Sequence, residues 1–332
     1  MKVETLGRGV LLPDAKLALD TSAPGHASVV SHAHGDHIPW EATRAWASPE
    51  TADLLALRKP DLAVDVLPWR EPTRIGRATV TLFPAGHVLG SAVTLVEVDG
   101  ERLLYTGDTK TRPSLTAATA EYPEADVLVV ESTFGLPVFR FPSREAIAAR
   151  MADFARETIA QGEVPVFLGY ALGKSQEILA TLREAGVPAV AHGAVWNVCR
   201  VYERHGVPFD GVRPYAPRQV GRAALVVPDS FRAHPMVAKL DARIAYVSGW
   251  ALLSKSRAQL DADCLVPLSD HADYPGLMEI VERVRPRRVL ANHGYSDVLS
   301  HLLRKKGLDA APLSVGHVEE DAEPDAQRTL DA

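Results

Sequence analysis

Apolar residues come in short runs along the first half of the chain, some alternating with polar residues and some unbroken. Short runs bounded by Gly, Pro and Asp are typical of β-strands. Asp99-Gly100 separates two such runs, and this dipeptide predicts a tight hairpin turn. The strands predicted in this half cover residues 10–12, 15–19, 27–30, 78–83, 92–98, 101–106 and 127–130, and one helix is predicted over 50–58.

The pattern changes after Ser143, where strands alternate with longer helical segments. Ser143 is of the residue type that caps helix N-termini, and Gly162 follows the first of these helices. Such alternation predicts βαβ units and a parallel sheet. Helices are predicted over 143–161, 174–185 and 194–204, with strands at 164–168, 188–191, 223–228 and 242–247.

The last part of the chain continues with a strand at 264–268, a helix at 275–285, a strand at 287–291 and a helix at 296–306. We interpret residues 1–136 and 259–318 as one core domain and residues 137–258 as an α/β domain inserted into it. Residues 319–332 are predicted to be a disordered acidic tail, because they combine like charges with no apolar periodicity.

Length and composition are those of a globular enzyme. The chain has 332 residues, 46% of them hydrophobic and 23% charged, which is enough for two domains with large cores. No apolar run approaches about 20 residues, so no spanning helix is expected. The N-terminus has no signal-peptide pattern, so we expect a cytoplasmic protein. Cys199 and Cys264 are the only cysteines, which predicts neither a disulfide framework nor a thiolate metal site.

Net charge does not decide between classes of partner. The total is −6, but the segment 319–331 alone carries six acidic residues against Arg328, a net of −5. The rest of the chain is therefore near neutral, and global charge argues neither for nor against nucleic acid.

The chemistry is concentrated in residues 31–37, Ser-His-Ala-His-Gly-Asp-His, directly after the apolar run 27–30. Two histidines at alternate positions of an extended segment project from the same side. Imidazole and carboxylate are the ligands of hydrolytic Zn, Mn and Fe sites. A polar surface loop is the alternative, but four ligand-type residues within six positions favour a metal site.

Other ligand-type residues also follow predicted strands. Because active sites of layered α/β folds lie at one edge of the sheet, we expect such strand ends to meet. Asp108 is the natural bridge between two ions, because a carboxylate has two oxygens. The residues in this set are Asp20, His32, His34, Asp36, His37, His87, Asp108, Glu131, His271 and His293.

The motifs around these residues occur in a familiar order: HAHGDH, AGHVLGS, YTGD, ESTFG, SDHAD and NHGY. This order resembles the β-CASP branch of the metallo-β-lactamase fold, which contains nucleases of mRNA 3′-end processing, DNA crosslink repair and bacterial RNA turnover. The segments ESTFGLPVFR, GYALGKSQEIL, PLSDHADYPGL and ANHGYSDVLSHLLRKKG are similar to the bacterial DNA-ligase-associated subgroup of manganese-dependent phosphodiesterases. The resemblance covers about residues 5–318 and implies an α/β fold: an αββα metallo-β-lactamase sandwich with an inserted α/β β-CASP cap domain.

The resemblance also implies roles for individual residues. It implies two divalent metal ions, Mn or Zn, with His32, His34 and His87 on one, Asp36, His37 and His293 on the other, and Asp108 between them. It makes Asp36, Glu131 and His271 the expected catalytic residues, with His271 assisting the leaving oxygen and Glu131 orienting His271. Thr109 stands where the family pattern has an aromatic residue.

Further candidates have ordinary alternatives. Asp20 is predicted to orient a ligand histidine, with the capping of a turn as the alternative. Lys174 and Ser175 at a helix start, and Lys110 and Arg112 after Asp108, are candidate phosphate contacts, but solvated side chains give the same pattern. Trp40 follows the metal loop, where an aromatic ring could stack a base, although packing is the role expected of it.

Together with the metal-ligand pattern, the resemblance implies a binuclear-metal phosphodiesterase that cleaves single-stranded nucleic acid, with DNA in repair as the expected substrate and a DNA-ligase or helicase repair system as the expected partner. A β-CASP ribonuclease of RNA processing remains an alternative, because no segment of the sequence shows whether the site recognises or excludes the 2′-OH. An inactive β-CASP scaffold is the non-enzymatic alternative and would be expected to have lost ligands. Another hydrolase on the same core would need no counterpart to Glu131 or His271.

Overall fold

The computed structural model describes residues 1–216, 222–253 and 262–313. The predicted acidic tail at 319–332 lies outside the described residues. The chain divides into two compact units, of which the first contains residues 1–140 and 271–313 and the second contains the described residues between 141 and 270.

Strands and helices are numbered in chain order. The strands are β1 Glu4–Leu6, β2 Gly9–Leu12, β3 Leu17–Leu19, β4 Ala27–Val29, β5 Arg44–Ala47, β6 Ala63–Val66, β7 Thr73–Ile75, β8 Ala78–Pro84, β9 Ala92–Val98, β10 Glu101–Tyr105, β11 Val127–Glu131, β12 Val164–Gly169, β13 Ala189–Ala191, β14 Arg213–Pro214, β15 Ala224–Pro228, β16 Ala242–Val247, β17 Cys264–Val266, β18 Arg288–Asn292 and β19 Asp309–Pro312. The helices are α1 Pro49–Arg58, α2 Arg144–Ala160, α3 Lys174–Glu184, α4 Gly193–Arg204, α5 Pro235–Ala238, α6 Tyr274–Val284 and α7 Ser296–Lys305.

The first unit contains two β-sheets that pack face to face. One has the strand order β1-β2-β3-β4-β5-β6, and the other has the order β19-β18-β11-β10-β9-β8-β7. The buried layer between them includes Leu12 and Leu19 of the first sheet and Leu82, Leu103 and Val129 of the second. The hairpin turn predicted at Asp99-Gly100 joins β9 to β10 in antiparallel register.

Helices cover the outer faces of this sandwich. Leu277 of α6 and Leu299 of α7 share a second buried cluster with Leu128 and Val130 of β11. Because β11 is buried on both faces, its sequence is an unbroken apolar run rather than an alternating one. On the other sheet, α1 packs beside β6. The αββα sandwich that the sequence predicted is confirmed.

Strand direction determines where the polar loops meet. β10 and β11 run parallel, with Leu103 opposite Val127, and β11 and β18 run parallel, with Val127 opposite Arg288. In the other sheet β3 and β4 are parallel as well. Parallel neighbours end at the same edge, so Asp108 after β10, Glu131 in β11 and His293 after β18 are brought together there.

The second unit contains one sheet with the order β14-β13-β15-β12-β16-β17. Every pairing in this sheet is parallel, as the alternation of strands and helices predicted. β17, which falls inside the predicted core segment 259–318, pairs with β16 of this unit, with Cys264 opposite Ala245. Apolar periodicity identifies such a short strand without showing which sheet it joins. None of the helices in the described residues combines the length and the apolar character needed to cross a membrane.

Candidate metal centre

Three histidines and one aspartate form a buried cluster at the edge of the first unit. The Nδ1 atom of His34 lies 3.1 Å from Nε2 of His32 and 3.0 Å from Nε2 of His87. Oδ2 of Asp108 lies 3.4 Å from Nε2 of His32 and 3.7 Å from Nε2 of His87. Four ligands about 2.1 Å from a tetrahedrally bound ion would be about 3.4 Å apart. The spacing of the four atoms therefore fits a single metal ion.

The hydrogen bonds around His32 show that its inward nitrogen presents a lone pair. Ser31 Oγ donates to Asp20 Oδ2 at 2.6 Å, so it accepts from Nδ1 of His32, 3.0 Å away. Burial, helped by the charge of His37, lowers the pKa of His32 to about 4. Neutral His32 with its hydrogen on Nδ1 has a bare Nε2, which faces the Asp108 carboxylate. Two acceptors at this distance repel each other unless a cation lies between them.

A second, looser group of ligand-type side chains surrounds His37. Its Nε2 atom lies 3.3 Å from Oδ2 of Asp108 and 3.6 Å from Oδ2 of Asp36. The ring centroids of His37 and His293 are 6.0 Å apart. The same oxygen of Asp108 thus lies within 3.4 Å of the inward nitrogens of both His32 and His37, which suits a residue placed between two ions.

The protonation state of His37 is set by the three carboxylates close to it. Burial alone would lower the pKa of His37, but Asp108, Asp36 and Asp20 outweigh it and raise the pKa well above its usual value. Burial alone would raise the pKa values of Asp36 and Asp108, but the charge on His37 lowers both. In the metal-free protein, a proton on His37 therefore supplies positive charge that the carboxylates attract. A divalent cation would replace it.

Asp20 lies on the opposite side of the two imidazoles. It accepts hydrogen bonds from the backbone N–H of Ser31 at 2.6 Å, from Ser31 Oγ at 2.6 Å, from His37 Nδ1 at 2.8 Å and from the Tyr105 hydroxyl at 2.8 Å. These four donors occupy a carboxylate's acceptor sites, so Asp20 is suited to orienting His37 and, through Ser31, His32, rather than to binding metal. Its φ of 54° is a left-handed conformation rare outside glycine, as is often found at functional sites.

The sequence did not indicate that Ser31, Tyr105 and Arg8 form hydrogen bonds to Asp20 and Asp36. Ser31 precedes the first histidine and Tyr105 ends β10, where a serine or tyrosine is common for structural reasons alone. Arg8 donates from Nη1 to Oδ2 of Asp36 at 3.0 Å, although 28 residues separate them. The YTGD motif was the one available signal for Tyr105.

Glu131 and His271 form a pair next to this cluster. Nδ1 of His271 lies 3.0 Å from both carboxylate oxygens of Glu131. The Glu131 side chain is buried, whereas that of His271 is 20% exposed. One ligand atom each of Asp108, Glu131 and His271 lie within 4.8 Å of one another, and the ring centroids of His271 and His87 are 4.7 Å apart. The pair is therefore adjacent to the cluster, with its histidine towards solvent.

Thr109 connects the loops that carry these groups. Its backbone N–H donates to Glu131 Oε1 at 2.7 Å, and its carbonyl accepts from the N–H of Ala272 at 2.7 Å. Its hydroxyl donates to the Ala85 carbonyl at 2.8 Å and lies 2.6 Å from the Tyr122 hydroxyl, which therefore donates to it. Position 109, where the family pattern has an aromatic residue, thus holds a small threonine in this chain. The aromatic residue Tyr122 lies next to it.

The loops carrying His87 and His293 adopt conformations that their neighbours require. Gly86 has a φ of 78°, and a Cβ atom there would be 2.2 Å from the carbonyl oxygen of Lys110. His293 has a φ of 58°, and Ser132 Oγ donates to the Asn292 carbonyl at 3.1 Å and to the His293 carbonyl. Burial, together with His37, lowers the pKa of His293, which keeps the imidazole neutral.

The candidate phosphate contacts differ in exposure. Lys174 is buried in the second unit, where its ammonium binds Asp270 at 2.5 Å and the Leu268 carbonyl at 3.1 Å. Ser175 is fully buried and donates to the Gly169 carbonyl at 3.3 Å. Lys110 is also buried. Arg112 has 42% of its side chain exposed and donates to Asp273 at 2.7 Å. Of the four, Arg112 is the residue that this structure presents to solvent.

Two family models match the chain. The one described as "Beta-lactamase superfamily domain" matches residues 8–151, and the one described as "Zn-dependent metallo-hydrolase RNA specificity domain" matches residues 266–310. The first contains His32, His34, Asp36, His37, His87, Asp108 and Glu131, and the second contains His271 and His293. Both matched segments therefore contribute to the same cluster of side chains.

Three curated relatives extend this comparison. A "Probable DNA ligase" of Opitutus terrae is 38% identical over 91% of this chain and 30% of its own length. An "RNase J-like protein" of Methanocaldococcus jannaschii is 31% identical over 53% of this chain and 49% of its own. An "Uncharacterized protein in lig 3'region" of Acidianus ambivalens is 31% identical over 39% of this chain and 89% of its own. The match spans less than half of the first two relatives.

The motif order, the αββα sandwich with its cluster of histidines and aspartates at the strand ends, and the two family matches agree. The chain belongs to the β-CASP branch of the metallo-β-lactamase superfamily of metal-dependent hydrolases, and it matches the ligase-associated subgroup of that branch.

Proposed function

We propose that the protein is a binuclear-metal phosphodiesterase that cleaves single-stranded nucleic acid, with DNA in a repair context as its substrate. The observation that carries the proposal is the Glu131–His271 pair beside the four-ligand cluster. A metal cluster alone serves many hydrolases. A buried carboxylate that holds a partly exposed histidine next to that cluster adds a proton donor for a leaving group.

We assign His32, His34, His87 and Asp108 to one divalent ion and Asp36, His37, His293 and Asp108 to the other, with Mn or Zn as the metals. When bound, such a pair of ions supplies Lewis acidity, which activates water and neutralises charge on phosphoryl oxygens. Asp20 and Ser31 fix the imidazoles so that their bare nitrogens face inward.

His271 is the residue we assign to the leaving oxygen. Because Nδ1 faces Glu131, the ring's other nitrogen, Nε2, is the atom that donates a proton or hydrogen bond as the leaving oxygen gains charge. Glu131 keeps the ring in this tautomer, and the Thr109 N–H keeps Glu131 in place. A positioned acid of this kind contributes about 10²–10⁴-fold in rate.

DNA is the first choice of substrate because the relative that matches 91% of the chain is named "Probable DNA ligase". A partner in a DNA-ligase or helicase repair system would follow from the same relationship. A ribonuclease is the second candidate, since another relative is named "RNase J-like protein" and residues 266–310 match a domain described by RNA specificity. An inactive scaffold is less favoured, because every expected ligand is present.

One assay separates these candidates. End-labelled single strands of DNA and RNA with one sequence are incubated with metal-stripped protein and with Mn, Zn or Mg added separately. We expect cleavage of the DNA strand with Mn or Zn, abolished by a chelator. Faster cleavage of the RNA strand would identify a ribonuclease. No cleavage of either strand under any metal would favour the scaffold and contradict the proposal.

A further inference from the structure

Trp40 presents an exposed aromatic ring immediately after the metal loop. It follows His37, with Ile38 and Pro39 between them. The residue is 44% exposed, and no other Trp, Tyr or Phe in the described part of the chain is exposed to this extent. A single exposed apolar residue is ordinary by itself, so the case for a ligand at Trp40 rests on where the ring lies and how it is held.

The ring is held in one place by the metal loop itself. The indole N–H donates to the carbonyl of Gly35 at 2.8 Å. Gly35 lies between the predicted ligands His34 and Asp36, while the intervening Ile38 is buried. Since its polar atom is already bonded, the exposed part of Trp40 is aromatic surface in a fixed position. A preorganised ring loses little conformational freedom when a flat ligand stacks on it.

A cation contacts the next residue of the same loop. Arg8 donates to Asp36 at 3.0 Å, and 38% of its side chain is exposed. Trp40 and Arg8 therefore bind the consecutive residues Gly35 and Asp36 and both reach solvent. An aromatic ring and a guanidinium bonded to the same loop offer the two contacts that bind single-stranded nucleic acid, stacked bases and contacted phosphates.

We propose that Trp40 stacks a nucleobase of the strand being cleaved, close to the scissile phosphodiester, and that Arg8 contacts that strand's backbone. This inference rests on the proposed function and adds a base-binding site to it. Stacking is tolerant of sequence, because every base has an aromatic face. The base-binding site requires an unstacked base, so it favours single strands over duplexes as substrates.

The test is single-turnover cleavage of single strands that carry one abasic residue at successive positions around the scissile bond. The half-saturating protein concentration and the maximal rate are measured for wild type, Trp40→Ala, Trp40→Phe and the control Val66→Ala, which alters another exposed apolar residue of the first unit. Elemental analysis checks that each variant keeps its metals.

We expect Trp40→Ala to raise the half-saturating concentration about tenfold, equivalent to about 1.4 kcal/mol, with the maximal rate nearly unchanged. Trp40→Phe should stay within about threefold of wild type, because it keeps a ring. For wild type, one abasic position should cause the same tenfold loss, and Trp40→Ala should lose nothing more at that position.

Other results would overturn the inference. Equal weakening in Trp40→Ala and Trp40→Phe, or loss of metal from either, would show that the bond to Gly35 matters rather than stacking. An abasic penalty that is equal in wild type and Trp40→Ala would show that no base binds there. If wild type cleaves no strand, the proposed function fails. If wild type cleaves and Trp40→Ala has the same half-saturating concentration and maximal rate, only the base-binding site fails.

Discussion

Buried polar residues gather at strand ends in both units, but they meet different partners. In the second unit donors meet acceptors: Lys174 binds Asp270, and the Gln176 amide donates to the Ala171 carbonyl and accepts from the N–H of Gly173. In the first unit acceptors face acceptors, since the bare nitrogen of His32 lies 3.4 Å from the Asp108 carboxylate. The second unit supplies the positive charge from its own lysine, whereas the cluster of the first unit is suited to an added cation.

This difference shows how a structural polar cluster is distinguished from a functional one. Burial and ligand-type residues occur in both units, so neither property decides the matter. The direction of the hydrogen bonds does decide it, because buried polar groups are normally satisfied. The predictions below test that distinction, beginning with the largest expected effect.

Removing the shared carboxylate should have the largest effect. Asp108→Ala should lose both bound metal and cleavage, because Asp108 Oδ2 lies near the inward nitrogens of His32, His37 and His87. Elemental analysis and single-turnover cleavage on the same sample provide the measurement. Two metals per chain with near-normal cleavage would remove Asp108 from the role between the ions.

Removing the proton donor should slow cleavage without emptying the site. His271→Ala should keep its metals and bind single-stranded DNA almost normally, yet cleave about 10²–10⁴-fold more slowly. Glu131→Gln should fall between this variant and wild type, because an amide still orients the ring but stabilises its charge less. The measurement is a metal count and a binding titration beside single-turnover rates. Loss of a metal would make His271 a ligand, and an unchanged rate would make it a bystander.

Metal binding should release a proton at neutral pH. The raised pKa of His37 means that the metal-free protein holds a proton there at pH 7, and a ligand nitrogen must give it up. Affinity should therefore rise about tenfold per pH unit until pH passes that raised pKa, and then level off. Calorimetry at pH 7 in buffers of different ionisation enthalpy should count about one proton from His37. A binding heat that is independent of the buffer would contradict this protonation state.

Breaking the ion pair between Lys174 and Asp270 in the second unit should lower the free energy of unfolding and should have the smallest effect on catalysis. Lys174→Met leaves Asp270 buried without its cation, and breaking such a pair typically costs about 3–5 kcal/mol. Denaturant unfolding should show this loss, while metal content stays at the wild-type value. Replacing both partners with apolar residues should restore much of the stability. If Lys174→Met instead weakens strand binding at unchanged stability, Lys174 is a phosphate contact after all.

The sequence predicted the longer elements closely and missed some of the short ones. The strand over 242–247 and the hairpin at Asp99-Gly100 are as expected, because their runs are long enough to show a period or carry a specific turn signal. Arg44–Ala47 and Asp309–Pro312 were not anticipated, because each contains a charged residue and neither is an unbroken apolar run like the one that ends in Val29-Val30. Their strand character comes from the sheet that they join.

The candidate site was predictable in residue type and in the pairing of Asp20 and Glu131 with histidines, but not in its other hydrogen bonds. Strand-end placement brought His87, Asp108 and Glu131 to one edge, as their positions after apolar runs indicated. The contribution of Thr109 comes mainly through its backbone N–H and carbonyl, which any residue possesses and no motif records. The roles assigned to the individual ligands stay predictions that the variants above address.

The central claim is that the histidine–aspartate cluster binds two metal ions on which cleavage depends. Metal-stripped protein is titrated with Mn, freed of excess metal by gel filtration, and divided between elemental analysis and single-turnover cleavage of single-stranded DNA. The account predicts that binding saturates at about two ions per chain, as in two-metal phosphodiesterases, and that cleavage appears only as the ions are bound. Full cleavage by stripped protein in excess chelator, or saturated protein that retains no metal, would contradict it.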